Sequence, residues 1–155
     1  MKTEIIQLDI KDFEKCGNIW DMKRQSALTE QIYQRLLSNN QTIYVYVLDG
    51  AFIGEVSLVK EMEDADYTIS GKRIYVSRLI VKEEYRRLGI GRKLLRFAVE
   101  KAAKAGFAEM SVGVDLDNYA ALRLYVQEGF DSVLFVGEDE YGRYLKLLKT
   151  VRSTL

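Results

Sequence analysis

The sequence predicts a mixed α/β fold: a mostly antiparallel sheet that contains one parallel strand-helix-strand unit. Three observations lead there. Strand-like runs rich in Tyr, Val and Ile lie at residues 43–48 and 52–59, and Asp49-Gly50 stands between them as a hairpin turn. A long apolar strand pattern at 73–81 is followed by a glycine-bearing junction, a helix pattern and a further strand at 109–114. The 155 residues, 48% of them apolar, contain no repeat or linker, which suits one domain over residues 1–155.

Taken in order, residues 3–8 read as a short strand. Asp9 is placed to cap a helix reaching about residue 24, with Phe13, Cys16, Ile19 and Trp20 as its apolar stripe. A second helix, 29–38, turns Ile32, Leu36 and Leu37 inward and stops at Asn39 and Asn40. The hairpin pair follows, then an acidic loop carrying Glu61, Glu63, Asp64 and Asp66, then the 73–81 strand. The helix over 91–105 is the clearest: Leu94, Leu95, Ala98, Ala102 and Ala105 make a narrow apolar stripe, and Gly106 is placed to cap its end. Residues 118–128 form another helix, with Gly129 just past it. Strands 132–137 and 141–149 close the chain as an antiparallel pair. The chain has no proline, so Gly, Asn and Asp must make its turns.

Composition excludes several chemistries. There is no histidine, which removes histidine-based nucleophilic triads and histidine metal sites; no metal is expected. Cys16 is the only cysteine, so no internal disulfide can form, and its amphipathic setting reads as a small buried hydrophobe. Twenty-three basic residues balance 23 acidic ones, so the chain as a whole attracts neither nucleic acid nor an anionic membrane. No apolar run approaches the ~20 residues of a membrane helix. Residues 1–8 mix charges rather than resembling a targeting segment, and a cytoplasmic protein is expected.

The chemistry concentrates at residues 84–95, EYRRLGIGRKLL, where a strand gives way to a helix. Gly89 and Gly91 allow close backbone approach, and the N–H groups opening a helix favour an anion. Arg86, Arg87, Arg92 and Lys93 surround that point with positive charge. The reading is a phosphate or pyrophosphate cradle. It lacks the Ser/Thr of a Walker loop after Lys93, and Leu94 stands where a dinucleotide fingerprint needs glycine.

The remaining pattern, Arg86-x-x-Gly89-x-Gly91, resembles the acyl-CoA signature of the GNAT superfamily of N-acetyltransferases. A second stretch, NYAALRLYVQEGF at 118–130, is similar to that family's other signature through Asn118, Ala121, Tyr125, Gly129 and Phe130. The resemblance implies a GNAT-like fold and an acetyl-CoA-dependent N-acetyltransferase. The backbone of Leu88, Gly89, Ile90, Gly91, Arg92 and Lys93 would hold the pyrophosphate, with Arg86 and Arg87 beside it. The strand at Leu79, Ile80 and Val81 would lie along the pantetheine, with an N–H near Leu79 or Val81 polarising the thioester carbonyl. Asn118 would bond the pantetheine as well as cap its helix. Tyr125 would serve the leaving thiolate as proton donor. The general base stays open among Glu55, the acidic loop, Tyr75, Ser77 and Asp115; Glu55 is expected on a solvated strand face. The acceptor is an amine, on a small molecule or a peptide, and the acidic loop suggests a cationic one. Oligomeric state is open, a homodimer included. The competing reading is a CoA-binding module without catalysis.

Overall fold

The computed structural model describes residues 1–151. In chain order the elements are β1 (Thr3–Gln7), a 3-10 helix (Ile10–Asn18), α1 (Ser26–Leu37), β2 (Gln41–Leu48), β3 (Ala51–Val59), β4 (Arg73–Val81), a one-turn 3-10 helix (Glu83–Tyr85), α2 (Ile90–Lys104), β5 (Glu109–Asp115), α3 (Tyr119–Gln127), β6 (Ser132–Asp139) and β7 (Gly142–Thr150). The strands hydrogen-bond in the order β1-β2-β3-β4-β5-β7-β6. The β4–β5 pair is parallel, as a strand-helix-strand unit requires. The β1–β2, β5–β7 and β6–β7 pairs are antiparallel. The mixed, mostly antiparallel class is therefore the one the sequence predicts. The chain packs as two compact units: Met1–Leu58 with Arg78–Ala98, and Val59–Ser77 with Val99–Leu155.

In the first unit, Asp49 and Gly50 both adopt left-handed φ (47° and 84°), which is the turn that a two-residue hairpin needs. Phe13, Cys16, Trp20, Ile32, Ile43, Val45 and Val47 are buried in one core cluster. Cys16 is fully enclosed, and burial pushes its thiol well above its ordinary range, so it packs as a hydrophobe. Two expectations need correction here. The segment after Asp9 is a 3-10 helix ending at Asn18, although the pattern predicts a helix to residue 24; Asp9 does cap it, accepting from the Lys11 N–H at 3.1 Å. Gly17 and Asn18 are weak helix formers, and the Asn18 amide donates to the Phe52 carbonyl at 2.7 Å instead. Leu37, expected inward, is 53% exposed, because only Ile32 and Leu36 share a face at four-residue spacing.

In the second unit Met110, Val112, Val114, Phe130 and Leu147 are buried from β5, the turn after α3, and β7. Gly106 (φ 94°) and Gly129 (φ 95°) end α2 and α3 in the left-handed conformation. Ala105 lies beyond the end of α2 and is exposed rather than part of its stripe. The sequence does not predict that β7 sits between β5 and β6. β7 pairs β5 along seven residues, Glu109↔Thr150 to Asp115↔Tyr144, which carries its Lys146 opposite Gly113.

Candidate active site

The first unit holds the junction between β4 and α2. The chain turns there through two left-handed residues, Arg87 (φ 65°) and Gly89 (φ 81°), and α2 starts at Ile90. A side chain at Gly89 would meet nothing within 4 Å, so the backbone there is open to an approaching ligand. The Lys93 N–H donates to the Gly89 carbonyl at 3.1 Å, and Ile90 and Gly91 open the first turn ahead of it, where helix geometry turns N–H groups outward. Gly91 lies inside the first turn of α2 and has no left-handed φ; it contributes small size rather than backbone freedom. Ile90, Leu94 and Leu95 are buried and root the helix start. Arg86 Nε donates to the Val81 carbonyl at 2.8 Å, tying the junction to the end of β4. Arg87, Leu88 and Lys93 are exposed, and Arg92 is half-buried.

Gly54 on β3 makes this packing work, and the sequence reading passed over it. A Cβ at Gly54 would lie 3.2 Å from Leu94 Cδ1 and 3.3 Å from the Ile80 carbonyl, so a side chain there would press the helix start and the strand apart by a few tenths of an ångström. A lone glycine within a strand pattern is the signal that could have found it.

The second unit holds the other motif. Asn118 caps α3, its side chain accepting from the Ala121 N–H at 3.3 Å. Tyr125 points into the interior with 7% exposure, edge-on to Phe130 at 5.7 Å between ring centroids. Burial first, and the nearby Tyr75 second, push its hydroxyl up to about 12. Tyr125 thus stays protonated at all ordinary pH, as a donor must. Tyr75 lies on β4 opposite Ser111, next to the point where the β4–β5 register ends at Val76↔Val112, although β4 continues to Val81. Leu79, Ile80 and Val81, half-buried, belong to that unmatched stretch.

The structure sorts the candidate bases. Glu55 is not on a solvated face: it is fully buried, and neither carboxylate oxygen has a hydrogen-bond partner. Burial pushes its carboxyl above the ordinary carboxylate range, Arg78 opposes that rise, and the Trp20 indole adds a smaller opposing effect without reaching hydrogen-bond geometry. Arg78 also lies over the Trp20 ring, 4.5 Å from its centroid. In the acidic loop, Asp64 and Asp66 are 2.6 and 3.1 Å from Lys146 Nζ, and Glu61 accepts from Ser70 at 3.3 Å. That pairing removes much of the negative field which the four carboxylates suggest in sequence. The Ser77 hydroxyl is buried without a partner, and Asp115 is exposed at the end of β5. Tyr75 alone among these candidates is shown as a neighbour of Tyr125.

Tyr67 and Lys146 escape a sequence reading, because nothing local marks a loop tyrosine or an alternating-strand lysine. A cavity of about 510 Å3 also opens beside the first 3-10 helix, lined by Glu14, Asn18, Trp20, Asp21 and Met22 among others. Among the described residues, no group of three or more His, Cys, Asp or Glu side chains could hold a metal ion.

Comparison with known proteins matches this architecture. The family model "Acetyltransferase (GNAT) family" covers residues 3–130. N-acetyltransferase family 8 member 3 of Rattus norvegicus is 35% identical over 75 residues, 48% of this chain and 33% of that protein. N-alpha-acetyltransferase 50 of Danio rerio is 29% identical over 123 residues, 73% of this chain and 70% of that protein. The chain spans 33% of the rat relative and 42% of a chloroplastic relative from Arabidopsis thaliana. Among solved structures, the PaiA N-acetyltransferase of Thermoplasma acidophilum, in complex with coenzyme A, superposes with a TM-score of 0.68 at 22% identity, covering 97% of this chain and 99% of that one. With the family model matching most of the chain, and both signatures lying on the elements described above, the protein belongs to the GNAT family of acetyltransferases.

Proposed function

We propose that this protein is an acetyl-CoA-dependent N-acetyltransferase acting on a primary amine of a small molecule or a peptide, and that residues 1–155 work as one GNAT domain. The observation that carries this is the start of α2: an open, left-handed Gly89 followed directly by the first turn of a fifteen-residue helix, whose N-terminal end favours an anion. The same residues fit a pyrophosphate sterically and electrostatically, with Arg86, Arg87, Arg92 and Lys93 around them. Acetyl-CoA, bound there, supplies the acetyl group as a thioester. Leu79, Ile80 and Val81 offer backbone groups to the pantetheine, and an N–H near Leu79 or Val81 polarises the thioester carbonyl. Asn118 adds a hydrogen bond to the same arm.

Tyr75 is assigned here as the base and Tyr125 as the donor. Acting as base requires Tyr75 as its phenolate, its own proton lost to solvent. The phenolate takes the proton that the acceptor ammonium must lose and becomes the phenol, the C–N bond forms as the C–S bond breaks, and Tyr125 donates a hydrogen bond to the departing sulfur. With its hydroxyl pushed up to about 12 by burial, Tyr125 gives up its proton reluctantly, so it stabilises the thiolate by a hydrogen bond rather than simply protonating it. A cytoplasmic location suits a single buried thiol, and balanced charge argues against nucleic acid or membrane partners. A homodimer is compatible with all of this.

The test is release of free thiol from acetyl-CoA across a panel of amines and peptides, run beside calorimetric titration with acetyl-CoA. Turnover on at least one amine is expected. Tight binding of acetyl-CoA without turnover on any acceptor would make the protein a CoA-binding module instead.

A further inference from the structure

Within the second unit the loop between β3 and β4 is fastened to β4, β5 and β7 at several points around Tyr67. Lys146 of β7 is mostly buried and bonds both Asp64 and Asp66 through Nζ, at 2.6 and 3.1 Å. The same ammonium lies over the rings of Phe135 and Tyr67, 4.7 and 5.1 Å from their centroids. Arg73 Nη1 holds the Asp66 carbonyl at 2.9 Å, and Ser111 Oγ donates to the Tyr67 carbonyl at 2.5 Å. On β5, a Cβ at Gly113 would fall onto the Tyr67 hydroxyl, so the absence of a side chain there is what admits the phenol. So fastened, the Tyr67 ring stacks on Tyr75, with centroids 4.2 Å apart and planes at 23°. Burial first, and the neighbouring Tyr75 after it, push the Tyr67 hydroxyl above its ordinary range, so Tyr67 keeps its proton and is able to donate it to the Tyr75 oxygen.

We propose that Tyr67 is a positioning residue that fixes the Tyr75 oxygen as a proton acceptor beside Tyr125, and that Lys146 with Asp64 and Asp66 is the clamp that keeps Tyr67 in place. The inference rests on the assignment of Tyr75 as base. A phenol donating to the Tyr75 oxygen stabilises negative charge there and holds the ring in one orientation. The clamp holds Asp64 and Asp66, and with them the loop that carries Tyr67, against β7. The titratable groups facing the pair are Asp64 and Asp66 from the loop, Lys146 and Tyr144 from β7, and Tyr125 from α3. Asp64 is held below, and Lys146 above, its ordinary range, chiefly through their mutual hydrogen bond in the first case and against desolvation in the second. Both shifts favour the charged forms, so the Asp64–Lys146 pair does not itself titrate in an activity profile around neutral pH.

The experiment compares the pH profile of kcat for the intact protein, Tyr67→Phe, Lys146→Met, Lys146→Arg and Tyr75→Phe, with thermal unfolding and acetyl-CoA affinity as controls. Tyr67→Phe keeps the ring stack and removes the donor. It should lower kcat at pH 7 about tenfold, move the rising alkaline limb to higher pH, and leave acetyl-CoA affinity unchanged. Lys146→Met should reproduce that profile, and Lys146→Arg should restore it at least partly. Tyr75→Phe should abolish the rise with pH. A wild-type profile in folded Tyr67→Phe, with Tyr75→Phe impaired, overturns the positioning role alone. An unaltered profile in Tyr75→Phe overturns the base assignment and the inference with it. A uniform loss of kcat in Lys146→Met with no shift of the limb also counts against the clamp, since it reports structure only.

Discussion

Replacing Tyr125 by phenylalanine removes one oxygen from α3 and leaves the ring packed edge-on to Phe130. Folding should hardly notice, because the buried ring area is unchanged and the helix keeps its Asn118 cap. What the substitution deletes is a donor aimed at developing charge. Hydrogen bonds to charged groups are worth about 1.5–3 kcal/mol, which converts to a rate factor of roughly 10–150. The raised phenol, near 12, argues for the hydrogen-bond value rather than the larger effect of a full proton transfer. We therefore expect kcat to fall by about 10–100-fold in a steady-state thiol-release assay, while acetyl-CoA affinity by calorimetry changes less than about threefold. The loss should be constant between pH 6 and pH 9, since the phenol does not ionise there. A variant with kcat within twofold of the parent would remove Tyr125 from the mechanism. Equal losses of kcat and of acetyl-CoA affinity would make it a binding residue.

Other consequences follow from the same geometry. Gly91→Glu puts a carboxylate into the first turn of α2 and should weaken acetyl-CoA binding more than tenfold, about 1.4 kcal/mol, with the fold intact by circular dichroism; unchanged affinity would sink the cradle. Arg87→Gly relieves a left-handed non-glycine residue worth about 1 kcal/mol, so Tm should rise by about 2–4 °C, and a lower Tm would show that the exposed Arg87 side chain makes contacts that matter. Arg78→Met strips Glu55 of its compensating charge. Because Glu55 is raised in the fold, its ionisation already costs stability as pH climbs from the ordinary carboxylate value through the folded one. The variant should therefore lose roughly 2–3 kcal/mol at pH 8, below the full penalty for a broken buried pair because Arg78 acts on Glu55 through its charge and not through a direct bond, and less at pH 5. Equal losses in urea titrations at the two pH values would refute the pairing.

Much of this protein is legible in its linear pattern. The Asp49-Gly50 turn, the 3.6-residue stripe Leu94-Leu95-Ala98-Ala102 and the glycines that close α2 and α3 are local, because each depends on neighbours a few residues away. The β4–α2 junction is legible for the same reason: a cradle built from consecutive backbone N–H groups needs only consecutive residues. What the sequence leaves open depends on partners distant in the chain. Glu55 reads as a polar residue on an alternating strand, and only the packing of Cys16, Trp20 and Arg78 around it makes it a buried, unpaired carboxylate. The acidic loop reads as a solvated charge run until β7, inserted between β5 and β6, brings Lys146 to within 2.6 Å of Asp64 from 82 residues away. Tyr67 is one tyrosine among ten until Gly113 admits its hydroxyl and Tyr75 stacks beneath it. Local motifs determine where an anion can bind. Which polar side chains are buried, paired or poised is decided by register and strand order, and these follow from the packing energy of the whole sheet rather than from any single segment.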